Sequence, residues 1–177
     1  MNSNKESKGL VLIYTGNGKG KTTAALGQLV RVYGWGWKAV MFQFIKGGKL
    51  AAGEHRAAKK LGLDLRPMGA GFTWNEKQRE KAIALSMEQW QECKDAIVSG
   101  DFKMIIMDEI SYPLKFGWIP IKDVIDTIKR RPEGTHVLMT GRDMPDEIIE
   151  LADLVTEMKE IKHPFAGGIK AQKGIEF

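Results

Sequence analysis

Three short stretches carry residue types and spacings suited to chemistry on a nucleoside phosphate. The first is "TGNGKGKTT" at 15–23. A glycine-rich turn between a strand and a helix presents successive backbone N–H groups beside a positive helix end, and together these cradle an anion. Gly16, Gly18 and Gly20 permit tight turning and close approach, Lys21 offers a point charge to phosphate oxygens, and Thr22 offers a hydroxyl to Mg²⁺. Thr15, Asn17, Lys19 and Thr23 complete the candidate ATP-binding stretch. The loop departs from the common G-x-x-x-x-G-K-[ST] pattern at its first position, where Thr15 replaces glycine. The second stretch, "MIIMDE" at 104–109, is four apolar residues followed by Asp108 and Glu109. Carboxylates at the end of a strand beside a phosphate loop can hold Mg²⁺ directly or through its waters. The third, Thr140-Gly141-Arg142, would bring a guanidinium to the same sheet edge, where it could contact phosphate or ribose.

Positioning these residues requires a parallel sheet, and the chain is patterned for one. Short β-rich runs alternate with helical ones, which predicts an α/β domain with an open, mostly parallel sheet and helices on both faces. Strands are expected at 9–15, 39–45, 102–109, 136–141 and from Leu154 onward, with "LDLRPMGAGF" (63–72) at best a short strand. Helices are expected from Lys21 to Gly34, from a capping box at Thr73 and Glu76 to Ser99, after Pro120 and over "MPDEIIELA". "KGGKLAAG" (46–53) reads as flexible. The irregular tail "HPFAGGIKAQKGIEF" contains Phe165, Ile169, Ile175 and Phe177 and is expected to pack back on the body.

The 177 residues suit a single domain over 9–177 behind a disordered N-terminal tail at 1–8. No apolar run is long enough to span a membrane, and "MNSNKESKG" lacks the apolar segment of a secretory signal. A single cysteine, Cys93, excludes an internal disulfide and fits a reducing cytoplasm. It is expected to be small and partly buried. Net charge is +5, yet the basic residues are scattered and form no stripe interleaved with aromatics, so no nucleic-acid partner is expected. His55, His136 and His163 show no metal-ligand spacing.

"MGAGFTWNEKQRE" (68–80) sets Phe72 and Trp74 in a glycine-bearing turn before a helix, where they could simply be core plugs. In combination, however, "TGNGKGKTTAA", "QFIKG" (43–47), "GFTW" (71–74), "MDEISY" (107–112), "TGR" and "KHPFAGGIKAQKGIEF" (162–177) run in order along nearly the whole chain. In this the sequence resembles the bacterial P-loop type of corrinoid adenosyltransferase, acting on cob(I)yrinic acid a,c-diamide or cob(I)alamin in vitamin B12 biosynthesis and salvage. The shortened "GNGKGKT" loop is in pattern for that family. The resemblance implies a RecA-like domain, usually a homodimer, in which a Co(I) corrinoid attacks C5′ of ATP and the whole triphosphate leaves. It implies Lys21 and Glu109 as catalytic residues, Thr22 and Glu109 on the Mg²⁺ side with Asp108 close behind, and Arg142 on the nucleotide. It further implies Phe72 and Trp74 against the lower corrinoid face, displacing the axial ligand, and a reduced flavin protein as electron donor. Trp35 and Trp37, in "GWGWK", are read as packing or dimer contacts. The competing readings are a P-loop ATPase or phosphotransferase acting at the γ-phosphate, with Glu109 orienting water, and a RecA-like nucleic-acid-binding module.

Overall fold

The computed structural model describes residues 8–46, 52–69 and 76–176. Among these residues are six strands: β1 (Val11–Thr15), β2 (Ala39–Gln43), β3 (Asp64–Pro67), β4 (Met104–Asp108), β5 (His136–Thr140) and β6 (Leu154–Glu157). They form one sheet in the order β3-β2-β4-β5-β1-β6. Every pairing is parallel, so the sheet goes beyond the mostly parallel expectation.

The alternation of side chains along each strand divides the interior in two. Val11, Ile13, Val40, Phe42, Ile105, Met107, Val137 and Met139 point to one face. There they meet α3 (Glu76–Ser99), α5 (Ile121–Lys129) and α6 (Asp146–Leu151) through residues such as Ile97, Val124, Ile128 and Ile148. Leu12, Met41, Ile106 and Leu138 point to the other face, against Ala25, Leu29 and Val32 of α1 (Lys21–Gly34). Being covered on both faces is why the central strands read as unbroken apolar runs. Across the first face, Asp123 ties α5 to α3, accepting from Trp90 Nε1 at 2.8 Å and Lys94 Nζ at 3.0 Å.

The structure corrects several expectations. Two helices were not anticipated: α2 (Gly53–Leu61) and the single turn α4 (Ser111–Lys115). In α2 only Ala58 is buried, so its sequence carries little apolar surface to announce it. Residues 47–51 of the flexible stretch, like the Thr73 capping position, lie outside the described residues. Cys93 is fully buried rather than partly so. Lys8, assigned to the disordered tail, is anchored by Asp153 at 2.6 Å.

The described part of the tail does not pack by burying its apolar side chains, since Phe165 is 77% and Ile175 72% exposed, and Phe177 lies outside the described residues. Polar contacts hold it instead: Glu176 accepts from Lys19 Nζ at 2.8 Å and from the Gln172 N–H at 3.1 Å. Strand β6, next to this tail, is exposed along its whole length. Trp35 and Trp37 stack with ring centroids 6.1 Å apart at the end of α1, and Lys103 lies 5.7 Å over the Trp37 ring.

Candidate nucleotide site

Strand β1 ends at Thr15 and α1 begins at Lys21, so residues 16–20 form the turn the sequence demands. Two of its glycines serve the neighbouring strand as much as any ligand. A Cβ on Gly16 or Gly18 would fall 2.5 or 2.7 Å from the Met158 carbonyl oxygen, just past β6. The Gly18 N–H donates to that same oxygen at 2.7 Å. Lys21 Nζ donates to the carbonyls of Gly16 and Gly18, each at 2.7 Å, which fastens the ammonium inside its own loop.

Asp108 and Glu109, adjacent in sequence, occupy different environments. Asp108, the last residue of β4, is fully buried, and both carboxylate oxygens are engaged. Its Oδ1 accepts from Thr22 Oγ1 at 3.0 Å and Thr140 Oγ1 at 2.7 Å, and its Oδ2 accepts from Gln43 Nε2 at 3.2 Å. Gln43 is held in turn by His55 of α2, Oε1 to Nε2, at 2.8 Å. Sheet order explains the network: β5 lies between β1 and β4, so Thr22 reaches Asp108 beside the Thr140 tip. Glu109 leaves the strand with φ of 60°, an uncommon conformation for a residue with a side chain. Its N–H donates to Thr140 Oγ1 at 3.0 Å.

Loop, strand tips and tail enclose a cavity of about 750 Å³, within the range of small-molecule sites. The loop contributes Gly18 to Thr23, and the strand tips contribute Glu109, Gly141 and Arg142. Of the residues singled out from sequence, Thr15, Gly16, Asn17 and Asp108 stand behind this wall or beside it rather than on it. Phe72 and Trp74 lie outside the described residues. The structure adds walls that sequence reasoning missed: Lys46 and Glu54 on one side, Tyr112 from α4, and His163, Gly174, Ile175 and Glu176 from the tail. The "QFIKG" and C-terminal motifs pointed to the first and last of these, but nothing in their composition gave them a role.

Charge in the cavity is partly cancelled. Lys46 pairs with Glu54 at 2.7 Å and Lys19 with Glu176 at 2.8 Å. Among the described residues, that leaves Lys21 and Arg142 facing Glu109. Burial opposes the charge on Lys46, but the Glu54 hydrogen bond together with the charges of Asp108, Glu54 and Glu109 outweighs it and raises the Lys46 pKa. Burial lowers the Lys21 pKa, helped by the Arg142 charge and opposed by Glu109 and Asp108. Burial raises the Glu109 pKa, and the Asp108 charge raises it further, against Lys46, Lys21 and Arg142. Among the described residues, Glu54 and Glu176 are committed to lysines, which leaves near Lys21 the Thr22 hydroxyl and the cavity-facing Glu109 carboxylate, with Asp108 directly behind. That set suits a cation arriving on phosphate oxygens and keeping most of its waters, rather than a dedicated cage.

The fold is similar to that of the flagellar accessory protein FlaH from Methanocaldococcus jannaschii, with a TM-score of 0.58 over 85% of this chain and 71% of that one. At 11% identity, that likeness concerns the fold alone. Sequence relatives are closer. A corrinoid adenosyltransferase of Escherichia coli (strain K12) is 38% identical over 173 residues, 98% of this chain and 88% of that protein. One from a Sinorhizobium species is 40% identical over 181 residues, covering all of this chain and 84% of its own. The corrinoid adenosyltransferase CobA of Salmonella typhimurium (strain LT2) is 38% identical over 98% of this chain and 88% of its own. The family's sequence model matches residues 7–177, and the chain belongs to the ATP:corrinoid adenosyltransferase family BtuR/CobO/CobP.

Proposed function

We infer that the chain is an ATP:corrinoid adenosyltransferase working through this cavity, in which Co(I) of a corrinoid attacks C5′ of ATP. The Co–C5′ bond forms from the cobalt electron pair as the C5′–O bond breaks, and its electrons depart on triphosphate. The observation that carries this reading is the convergence of the loop, Glu109 and Arg142 on one cavity in a chain matched to the family along almost its full length.

Because the corrinoid is itself the nucleophile, the protein need supply neither a nucleophile nor a general base. Its tasks are alignment and stabilisation of the charge growing on the leaving group. The loop backbone beyond Gly18, whose own N–H is taken by Met158, directs its amides, and Lys21 and Arg142 their charges, toward the triphosphate. Thr22 and Glu109 hold Mg²⁺ on the phosphate side, and Asp108 acts through Thr22. When bound, the metal neutralises phosphate charge. Phe72 and Trp74 form the apolar wall against the lower corrinoid face and keep water from the axial position. A reduced flavin protein supplies the electron that takes Co(II) to Co(I). The working form is a cytoplasmic homodimer, with exposed β6 among the surfaces available to a second copy.

The test is an anaerobic product assay with MgATP, a strong reductant and cobalamin. Inorganic triphosphate is expected in step with loss of Co(I) absorbance. ADP and orthophosphate, formed whether or not corrinoid is present, would instead make this an ATPase acting at the γ-phosphate.

A further inference from the structure

We propose that Thr140 is a positioning residue for metal binding: from the tip of β5 its hydroxyl fixes both acidic residues of β4 relative to Thr22. The inference rests on the Mg²⁺ reading above. Thr140 is fully buried and does not line the cavity, so it acts only through its neighbours. Two contacts define what it does. Its hydroxyl donates to Asp108 Oδ1 at 2.7 Å, and the same oxygen accepts the Glu109 N–H at 3.0 Å. A hydroxyl can donate and accept strongly at one atom, which valine of nearly the same shape cannot.

Each contact has a chemical consequence. Asp108 Oδ1 also accepts the proton of Thr22 Oγ1 at 3.0 Å. With its proton committed to Asp108, the Thr22 oxygen keeps its lone pairs for a cation. Thr140 and Gln43 together fix the carboxylate that imposes this orientation. The second contact bears on Glu109, whose φ of 60° persists only where the surroundings hold it. Capture of its N–H by Thr140 is such a hold. The outcome is two consecutive acids with separate tasks, Asp108 turned inward onto Thr22 and Glu109 on the cavity wall.

Equilibrium dialysis of ATP against the full chain, with and without Mg²⁺, tests this. The ratio of the two dissociation constants measures coupling between metal and nucleotide. Thr140→Val should lower that ratio on the order of 10–100-fold, the usual loss when a group supporting metal ligands is removed. Metal-free ATP affinity should stay at its wild-type value. Thr140→Ser, which keeps the hydroxyl, should retain the wild-type ratio, and Glu109→Gln should lose it. If Glu109→Gln loses the coupling while Thr140→Val keeps it, the positioning role is overturned and the metal reading stands. If Glu109→Gln leaves the ratio unchanged, the metal reading fails and the inference with it. Equal weakening of ATP by Thr140→Val with and without Mg²⁺, or loss of coupling in Thr140→Ser, would make the residue structural and also overturn the proposal.

Discussion

Lys21 makes two hydrogen bonds inside its own loop, to the Gly16 and Gly18 carbonyls, and an ammonium has three protons. The third is available to a phosphate oxygen, so one side chain can both brace the loop and meet the leaving group. Its lowered pKa has burial as the main cause, which also means its charge acts at reduced screening. Lys21→Ala should therefore cut kcat on the order of a hundredfold or more, the usual cost of losing a preorganised donor to developing negative charge. The loss should be the same whether the corrinoid is supplied as Co(II) or Co(I), which anaerobic stopped-flow absorbance can read. Phe72 and Trp74 should behave differently. Alanine at both is expected to leave MgATP binding intact, to abolish turnover from Co(II), and to permit it from pre-reduced Co(I). Loss of ATP binding in that double variant would make the pair structural. That Lys21, Thr22, Glu109 and Arg142 meet at one cavity was legible because the loop and the strand tips are marked by short local motifs. Lys46, Glu54, Ile175 and Glu176 were not, because they reach the cavity from distant parts of the chain through tertiary contacts.

At the scale of elements, the end of the sheet opposite the loop carries a group that makes stability depend on pH. His136 opens β5, and its Nδ1 accepts the Leu10 N–H at 3.0 Å, a bond available only to the neutral ring. Burial lowers its pKa, and the charges of Lys103 and Arg131 add to that. The unfolded chain, with an ordinary histidine pKa near 6.5, therefore binds more protons than the native one just below that value. This contribution is complete above about pH 6.5 and is lost as the pH falls toward the depressed native pKa. Urea titrations should show stability rising with pH across this window. His136→Asn, whose amide oxygen can accept the same N–H without titrating, should flatten the rise. An unchanged slope would place the pH dependence elsewhere. The elements themselves were readable to different degrees. β1, β2, β4 and β5 announced themselves because burial on both faces leaves an unbroken apolar run. The edge strands β3 and β6, half-buried and exposed, carry too little apolar surface to fix their bounds from sequence. For α2 the same reason holds, since Ala58 is its only buried residue.

At the scale of the whole molecule, the two cores share one sheet, and the candidate site is built on the tips of strands that both cores support. Binding in the cavity should therefore register in the stability of distant α3. Cys93, the single cysteine, reports on that helix. It is fully buried in the first core beside Trp90 and Ile97, and burial raises its thiol pKa well above the usual value. A thiol so placed is inert until the surrounding structure opens. Labelling by an aromatic disulfide reagent should be absent in native buffer and should appear in urea together with loss of helical circular dichroism. Addition of MgATP at a hundred times its dissociation constant should then raise the free energy needed to expose the thiol by about 2.7 kcal/mol, the linkage expected when a ligand binds only the folded form. A thiol that reacts well before the helical signal falls, with no response to MgATP, would show that α3 opens on its own. In that event the sheet would not transmit occupancy of the loop to the opposite core.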